Sequence, residues 1–148
     1  MSNAVRKDIP FDERIARGFI DAPRGAGGGI ADFLGFEITG AEPGVMTGRF
    51  EVREELLTPF GNMHGGVLSA FCDHMLGCVC YPAMKKGQWA ATTEYKINLT
   101  APVSGGMVEA RAEIINLSRT QAVVRIDLHN EGRLAAIAQG TVTIRDPR

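Results

Sequence analysis

From Gly65 to about Tyr81 the chain reads "GGVLSAFCDHMLGCVCY", and placed on a helix its apolar residues fall on nearly every face. A helix lying on a surface carries its apolar residues in a stripe, whereas one that is apolar all round has to be surrounded by protein. This segment therefore obliges the rest of the chain to supply a wall. The means are present, because 45% of the 148 residues are hydrophobic and the length is that of one domain with a proper core. Ser69, Asp73, His74 and Gly77 interrupt the run, so it makes a poor membrane span.

The wall is readable as strands. "FEITGAEPG" turns at Pro43-Gly44 into "VMTGRFEVRE", where Phe50 and Val52 alternate with Arg49, Glu51 and Arg53. Four further runs follow the helix: "TEYKINL", "MVEARAEIINL", "AVVRIDLH" and "LAAIAQGTVTIR". Each alternates apolar with polar residues, and "PVSGG", "SRTQ" and "NEGR" between them are hairpin punctuation. Ahead of these, "FDERIARGFIDA" predicts a short amphipathic helix behind Pro10, "PRGAGGG" breaks it, and "IADFLGF" predicts a second. One long helix held in a single six-stranded antiparallel sheet, with short N-terminal helices, is an α+β chain of the hotdog architecture. The expected division is an N-terminal extension over 1–29, whose opening "MSNA" resembles a tag remnant, and a hotdog domain over 30–148. A sheet covered on one face at best, with open edges, predicts pairing with a second copy.

Charge and cysteine content exclude several classes. Lys plus Arg total 16 against 17 for Asp plus Glu, so there is no broad basic field for nucleic acid or an anionic membrane, and an anionic ligand has to be held by a few placed groups. Cys72, Cys78 and Cys80 are crowded together with no leader-like segment ahead of them, which suits buried thiols in a reducing cytoplasm better than a disulfide framework.

Burying an ionised carboxylate costs several kcal/mol, so Asp73 needs a reason. Gly66, Ser69, Asp73 and Gly77 recur at spacings of three and four, a small polar stripe that admits a ligand or another backbone. The competing reading is a helix contact groove with Asp73 satisfied by a hydroxyl. His64-Gly65-Gly66 stands where the helix begins, and the first N–H groups of a helix lack intrahelical acceptors and carry the positive end of its dipole. They can polarise a carbonyl oxygen, although the glycines also serve simply as a tight turn. From His64 to Asp73 is about 13 Å of rise and about 900° of rotation, hence opposite faces. A site using both ends has to draw them from two subunits.

"HGG" followed by an aspartate nine positions after the histidine, with glycine four further on, resembles the hotdog acyl-CoA thioesterases of the phenylacetate-degradation type. The likeness runs from about Ile30 to Ile144 and includes "LLTPFGNMHGG", "TTEYKINLTAP" and the "SRT" turn. It implies a homodimer, usually paired into a tetramer, that hydrolyses an acyl-CoA thioester with no cofactor or metal beyond the coenzyme A of the substrate. By the family pattern the Gly65 amide binds the thioester oxygen and Asp73 of the facing subunit activates water, or attacks as nucleophile. Thr92 helps hold that water, and His64 lies near the sulfur. Ser118, Arg119 and Thr120 match the turn that receives the nucleotide phosphates. Related enzymes often carry asparagine or glutamine where Thr58 stands, and Asn62 is the nearest candidate replacement. Phe60, Met63, Gly66, Phe71 and Met75 suggest an acyl or aryl pocket, and the large ones serve equally well as core. His74 and Cys78 share a helix face, but two further metal ligands are missing from the pattern. A hotdog dehydratase or hydratase and a non-catalytic acyl-CoA-binding protein are the alternatives; "HGG" with the aspartate fits hydrolysis better.

Overall fold

In the computed structural model, residues 8–23 and 25–147 are described; the opening "MSNA" lies outside them. Asp12, in extended backbone, accepts the N–H groups of Arg14 and Ile15 at 2.9 and 3.3 Å and so starts α1 (Glu13–Ile20). Those bonds, that from Ile15 foremost, hold its carboxyl below the usual range. The Asp12 amide donates to Pro82 O and Phe19 packs on Tyr81, so α1 is fixed to the turn that follows the central helix. Ile9 and Ala16, within the stretch read as an extension, are buried. Helix α2 (Gly29–Leu34) turns Leu34 inward and stops at Gly35 in the left-handed conformation, φ 77°.

The expected sheet is present. Its strands are β1 (Glu37–Glu42), β2 (Val45–Glu51), β3 (Trp89–Leu99), β4 (Met107–Leu117), β5 (Gln121–Asn130) and β6 (Arg133–Arg145), antiparallel in the order β1-β2-β4-β5-β6-β3. Val108, Ala110, Ala112 and Ile114 of β4 and Ala122, Val124, Ile126 and Leu128 of β5 are buried on one face. Arg111, Glu113, Arg125 and Asp127 alternate with them and form ion pairs along their own strands. The buried face receives α3 (Gly65–Cys78), whose Phe71 joins Phe36 and Phe50 with ring centroids 4.8 to 5.2 Å apart.

Two expectations need correction. Within one chain, helix α3 is covered on one side rather than surrounded: Leu68, Phe71, Cys72, Met75 and Leu76 are buried, while Gly66 and Asp73 are exposed and Ser69, Ala70 and Gly77 are half-buried. Small residues enlarge the apolar count without enough surface to demand a cover. The helix also ends at Cys78 and gives way to a 3₁₀ turn, Tyr81–Ala83, where Pro82 has no N–H to continue it.

The edge strand β3 carries a bulge. Thr92 stands opposite Val142 and Glu94 opposite Thr141, which leaves Thr93 as the extra residue. Gly140 makes room for it: a Cβ there would lie 2.5 Å from Tyr95 Cβ and 2.6 Å from Glu94 O. Ahead of the bulge Ala90 and Thr92 face the α3 side, and beyond it Tyr95 and Leu99 do.

Candidate active site

The approach to α3 is tied down by backbone. Met63 N–H donates to Val103 O at 2.6 Å and His64 N–H to Leu56 O at 3.0 Å, while Thr58 and Asn62 close the preceding turn on one another. His64, with φ −63° and ψ 126°, is the N-cap, and its Nδ1 accepts the Gly66 N–H at 2.9 Å. Two consequences follow. A neutral ring whose Nδ1 accepts carries its proton on Nε2, so His64 presents an N–H donor outward. The Gly66 amide is occupied, and the Gly65 amide is left without an acceptor among the described residues. That N–H lies at the positive end of a 14-residue helix, poised for an oxygen that gains negative charge. It borders a cleft of about 230 Å³ lined by Asn62, Met63, Leu68, Leu99 and Val103 among others.

Asp73 opens elsewhere. Within one chain it is exposed on the uncovered side of α3, so no partner inside the chain is required of its charge. With His74, Gly77, Cys78, Tyr81, Ala90 and Thr92 it lines a second cleft of about 380 Å³, which has no lining residue in common with the first. Of the expected site residues, the chain brings Asp73 together with Thr92, and Gly65 together with Asn62 and Met63. It does not join the two groups. Between them on the stripe lies Ser69, whose hydroxyl is 2.7 Å from Tyr95 Oη; in the sequence Tyr95 is only an apolar member of an alternating strand.

His74 packs on the Phe36 ring and places Nε2 3.5 Å from Cys78 Sγ. Burial pushes its basicity down and the Asp73 charge pulls it back up. Burial pushes the thiols of Cys72, Cys78 and Cys80 up to about 12, so they stay protonated and unreactive at neutral pH. Among the described residues no group of three or more His, Cys, Asp or Glu is placed to hold a metal ion.

Ser118 and Arg119 line a third cavity of about 610 Å³ with Ile9, Lys85, Gln88 and Ile144. The Ser118 hydroxyl is engaged in its own turn, donating to Gln121 O and accepting from Gln121 N, and Thr120 O accepts the Ile144 N–H. Arg119 makes no ion pair among the described residues. Ile144 pairs with Ala90, so this cavity and the Asp73 cleft lie on either side of one β3–β6 residue pair. The expected pocket residues disperse: Met63 lines the Gly65 cleft, Phe60 is 92% exposed at a loop tip, and Phe71 and Met75 are wholly buried.

Comparison with known proteins identifies the lineage. The sequence profile of the thioesterase superfamily matches residues 60–137. The chain belongs to the thioesterase superfamily. The 1,4-dihydroxy-2-naphthoyl-CoA hydrolase of Listeria monocytogenes is 27% identical over 121 residues, 81% of this chain and 98% of that protein. Among solved structures, a Haemophilus influenzae thioesterase superimposes with a TM-score of 0.75 at 27% identity, over 78% of this chain and 82% of its own. An asparagine-to-aspartate mutant of the phenylacetic acid degradation protein PaaI from Thermus thermophilus gives 0.70 at 32% identity, over 76% and 96%. The thioesterase chain is thus a hotdog thioester hydrolase, and the hydrolase names of its relatives support hydrolysis over the dehydratase and pure-binder alternatives. Among its described residues no helix is long and apolar enough to cross a membrane.

Proposed function

We propose that two copies of the chain share each active site and that the site hydrolyses an acyl-CoA thioester. One observation carries this reading: the free Gly65 amide and the Asp73 carboxylate open into separate clefts of one chain. A second copy supplies what each cleft lacks. The 11-residue edge strand β3, paired on one side only, offers a backbone on which the copies can join.

In the shared site the thioester oxygen accepts the Gly65 N–H, and the helix dipole favours the charge that oxygen gains as the carbonyl carbon becomes tetrahedral. Asp73 of the partner subunit takes a proton from water as the water oxygen bonds to that carbon, with the partner subunit's Thr92 orienting the water. The C–S bond then breaks, the thiolate of coenzyme A departs past the Nε2–H of His64, and the acid is left. Arg119 holds nucleotide phosphate at the 610 Å³ cavity. No group besides the substrate's own coenzyme A is called for.

The test replaces Asp73 by asparagine, which keeps the shape and removes the base. General-base catalysis contributes about 10²–10⁴-fold, and kcat for thiol release should fall by that factor with unchanged circular dichroism. A folded Asp73→Asn protein with full activity sinks the assignment.

A further inference from the structure

We propose that Ser69 and Tyr95, whose hydroxyls meet within each chain, stand beside the two-fold axis of the shared-site dimer, where the four hydroxyls of two copies close into one hydrogen-bonded ring that fixes the spacing of the two sites. The proposal rests on the shared-site reading above and gives a role to two residues that the chemistry leaves unused.

The helix supplies the first argument. If the Gly65 amide and Asp73 of the partner subunit act on one carbonyl, two-fold symmetry brings Asp73 to the partner subunit's Gly65 as well. The two α3 helices then run antiparallel, and the residue that meets its own copy is the one midway, Ser69, four positions from each. The same order sets each exposed Asp73 charge at the positive end of the facing helix.

The edge strand supplies the second. It runs beside α3 in the opposite sense: Leu99 would crowd a Cβ at Gly65, Tyr95 meets Ser69, and Thr92 shares the Asp73 cleft. An axis that exchanges the Gly65 and Asp73 ends of the helix exchanges the Leu99 and Thr92 ends of the strand, and the middle of that interval falls at Tyr95 and Lys96. Helix and strand locate the axis at one contact.

The hydroxyls supply the third. Ser69 Oγ and Tyr95 Oη are 2.7 Å apart, and Ser69 is half-buried on the side of α3 that its own chain leaves uncovered. A hydroxyl has one proton to give and two lone pairs to receive, so two hydroxyls joined by one bond keep one proton over. Within one chain the Ser69 carbonyl, 3.2 Å from Tyr95 Oη, accepts it. Across the axis Tyr95 donates to Ser69, Ser69 to the partner's Tyr95, the partner's Tyr95 to the partner's Ser69, and the partner's Ser69 back to Tyr95. Each oxygen then donates once and accepts once. Gly66, Ala70 and Gly77 on the same side add little bulk, which lets the two backbones approach.

The experiment is a cross-link. Ser69→Cys is close to the native side chain in size, and a residue on the axis of an antiparallel pair faces its own copy. A disulfide forms where the Cα atoms approach to about 4.4–6.8 Å. In dilute solution with diamide, Ser69→Cys should run as a covalent dimer on a non-reducing gel and return to monomer with dithiothreitol. The native thiols, pushed by burial to about 12, stay out of the reaction, and the wild type is the blank. Gly77→Cys is the control: eight positions from Ser69, its two copies stand about 24 Å apart in the antiparallel pair and should stay unlinked. Tyr95→Phe breaks the ring and should raise the dimer dissociation constant about tenfold, with activity per chain lost on dilution and regained at high protein concentration. Ser69→Cys that does not link, Ser69→Cys and Gly77→Cys that link alike, or a Tyr95→Phe dimer as tight as the wild type overturns the proposal. A linked Ser69→Cys dimer together with Asp73→Asn and Gly65→Pro subunits that fail to complement condemns the shared site alone, whereas complementation without the link condemns the axis alone.

Discussion

If each site takes its amide from one chain and its carboxylate from another, two inactive proteins should make one active dimer. The carboxylate lesion is Asp73→Asn. For the amide, Gly65→Pro removes the N–H, and the local backbone accepts the change: Gly65 is the first helical residue, where proline is favoured, and His64 at φ −63° and ψ 126° already has the extended conformation that precedes proline. The obstacle is Leu99 Cδ1, 2.6 Å from the position of the new Cβ, which is the end of a half-exposed side chain and can give way. Gly65→Ala imposes the same crowding and keeps the N–H, so the difference between the two variants isolates the amide. Each inactive homodimer should lose about 10²–10³-fold in kcat from a missing oxyanion donor or more from a missing base. In a heterodimer one site inherits both lesions and the other neither. Separated by two affinity tags, it should regain about half the wild-type activity per dimer, because two-fold symmetry leaves one of two sites whole. Along one helix the eight steps from Gly65 to Asp73 amount to about 12 Å of rise, too far for both groups to touch one carbonyl. Assembled heterodimers no more active than their parents would place each complete site in one chain and refute the reasoning.

Arg119→Ala should raise KM for a CoA thioester far more than it lowers kcat, and leave hydrolysis of a pantetheine thioester unaltered; equal losses on both substrates remove Arg119 from the nucleotide. Gly140→Ala sets a methyl against Tyr95 Cβ and the Glu94 carbonyl, neither of which is a flexible chain end, and should cost about 1–3 kcal/mol in urea unfolding. It should also lower kcat, because the bulge that aims Thr92 has to shift. Burial lowers the His74 pKa, so between that value and about 6.5 the unfolded chain binds more protons and stability rises with pH. Acidification below about 6.5 should therefore lower the urea midpoint of the wild type more than that of His74→Gln, and parallel curves would show that His74 does not report on folding.

The strands were legible because apolar and polar residues alternate over most of their length: "MVEARAEIINL" corresponds residue for residue to β4. The start of α3 was legible too, since His64, Gly65 and Gly66 are adjacent and their roles as cap and free amide depend only on local geometry. What escaped depends on the neighbours. Asp73 reads as a charge inside an apolar run, and only the small size of Ser69, Ala70 and Gly77 hints that this side is left open. Tyr95 is indistinguishable in sequence from Ile97, although its hydroxyl meets Ser69. Phe71 and Met75 carry no sign in sequence of whether they line a pocket or fill the core, because size and hydrophobicity serve both; the aromatic cluster with Phe36 and Phe50 takes Phe71 inward.

The extra residue in β3 has a meaning beyond its geometry. Seven positions separate Thr92 from Leu99, an odd number, and in an unbroken strand they would point to opposite faces. With Thr93 interposed, both point toward the helix, one into the Asp73 cleft and the other into the Gly65 cleft. One strand thus reaches both clefts by miscounting once. For anyone redesigning the protein, β3 behaves like a reading frame: substitutions along it are edits of single letters, whereas straightening the bulge so that Thr93 takes an ordinary place in the ladder would send everything downstream, Tyr95 and Leu99 included, to the wrong side of the page.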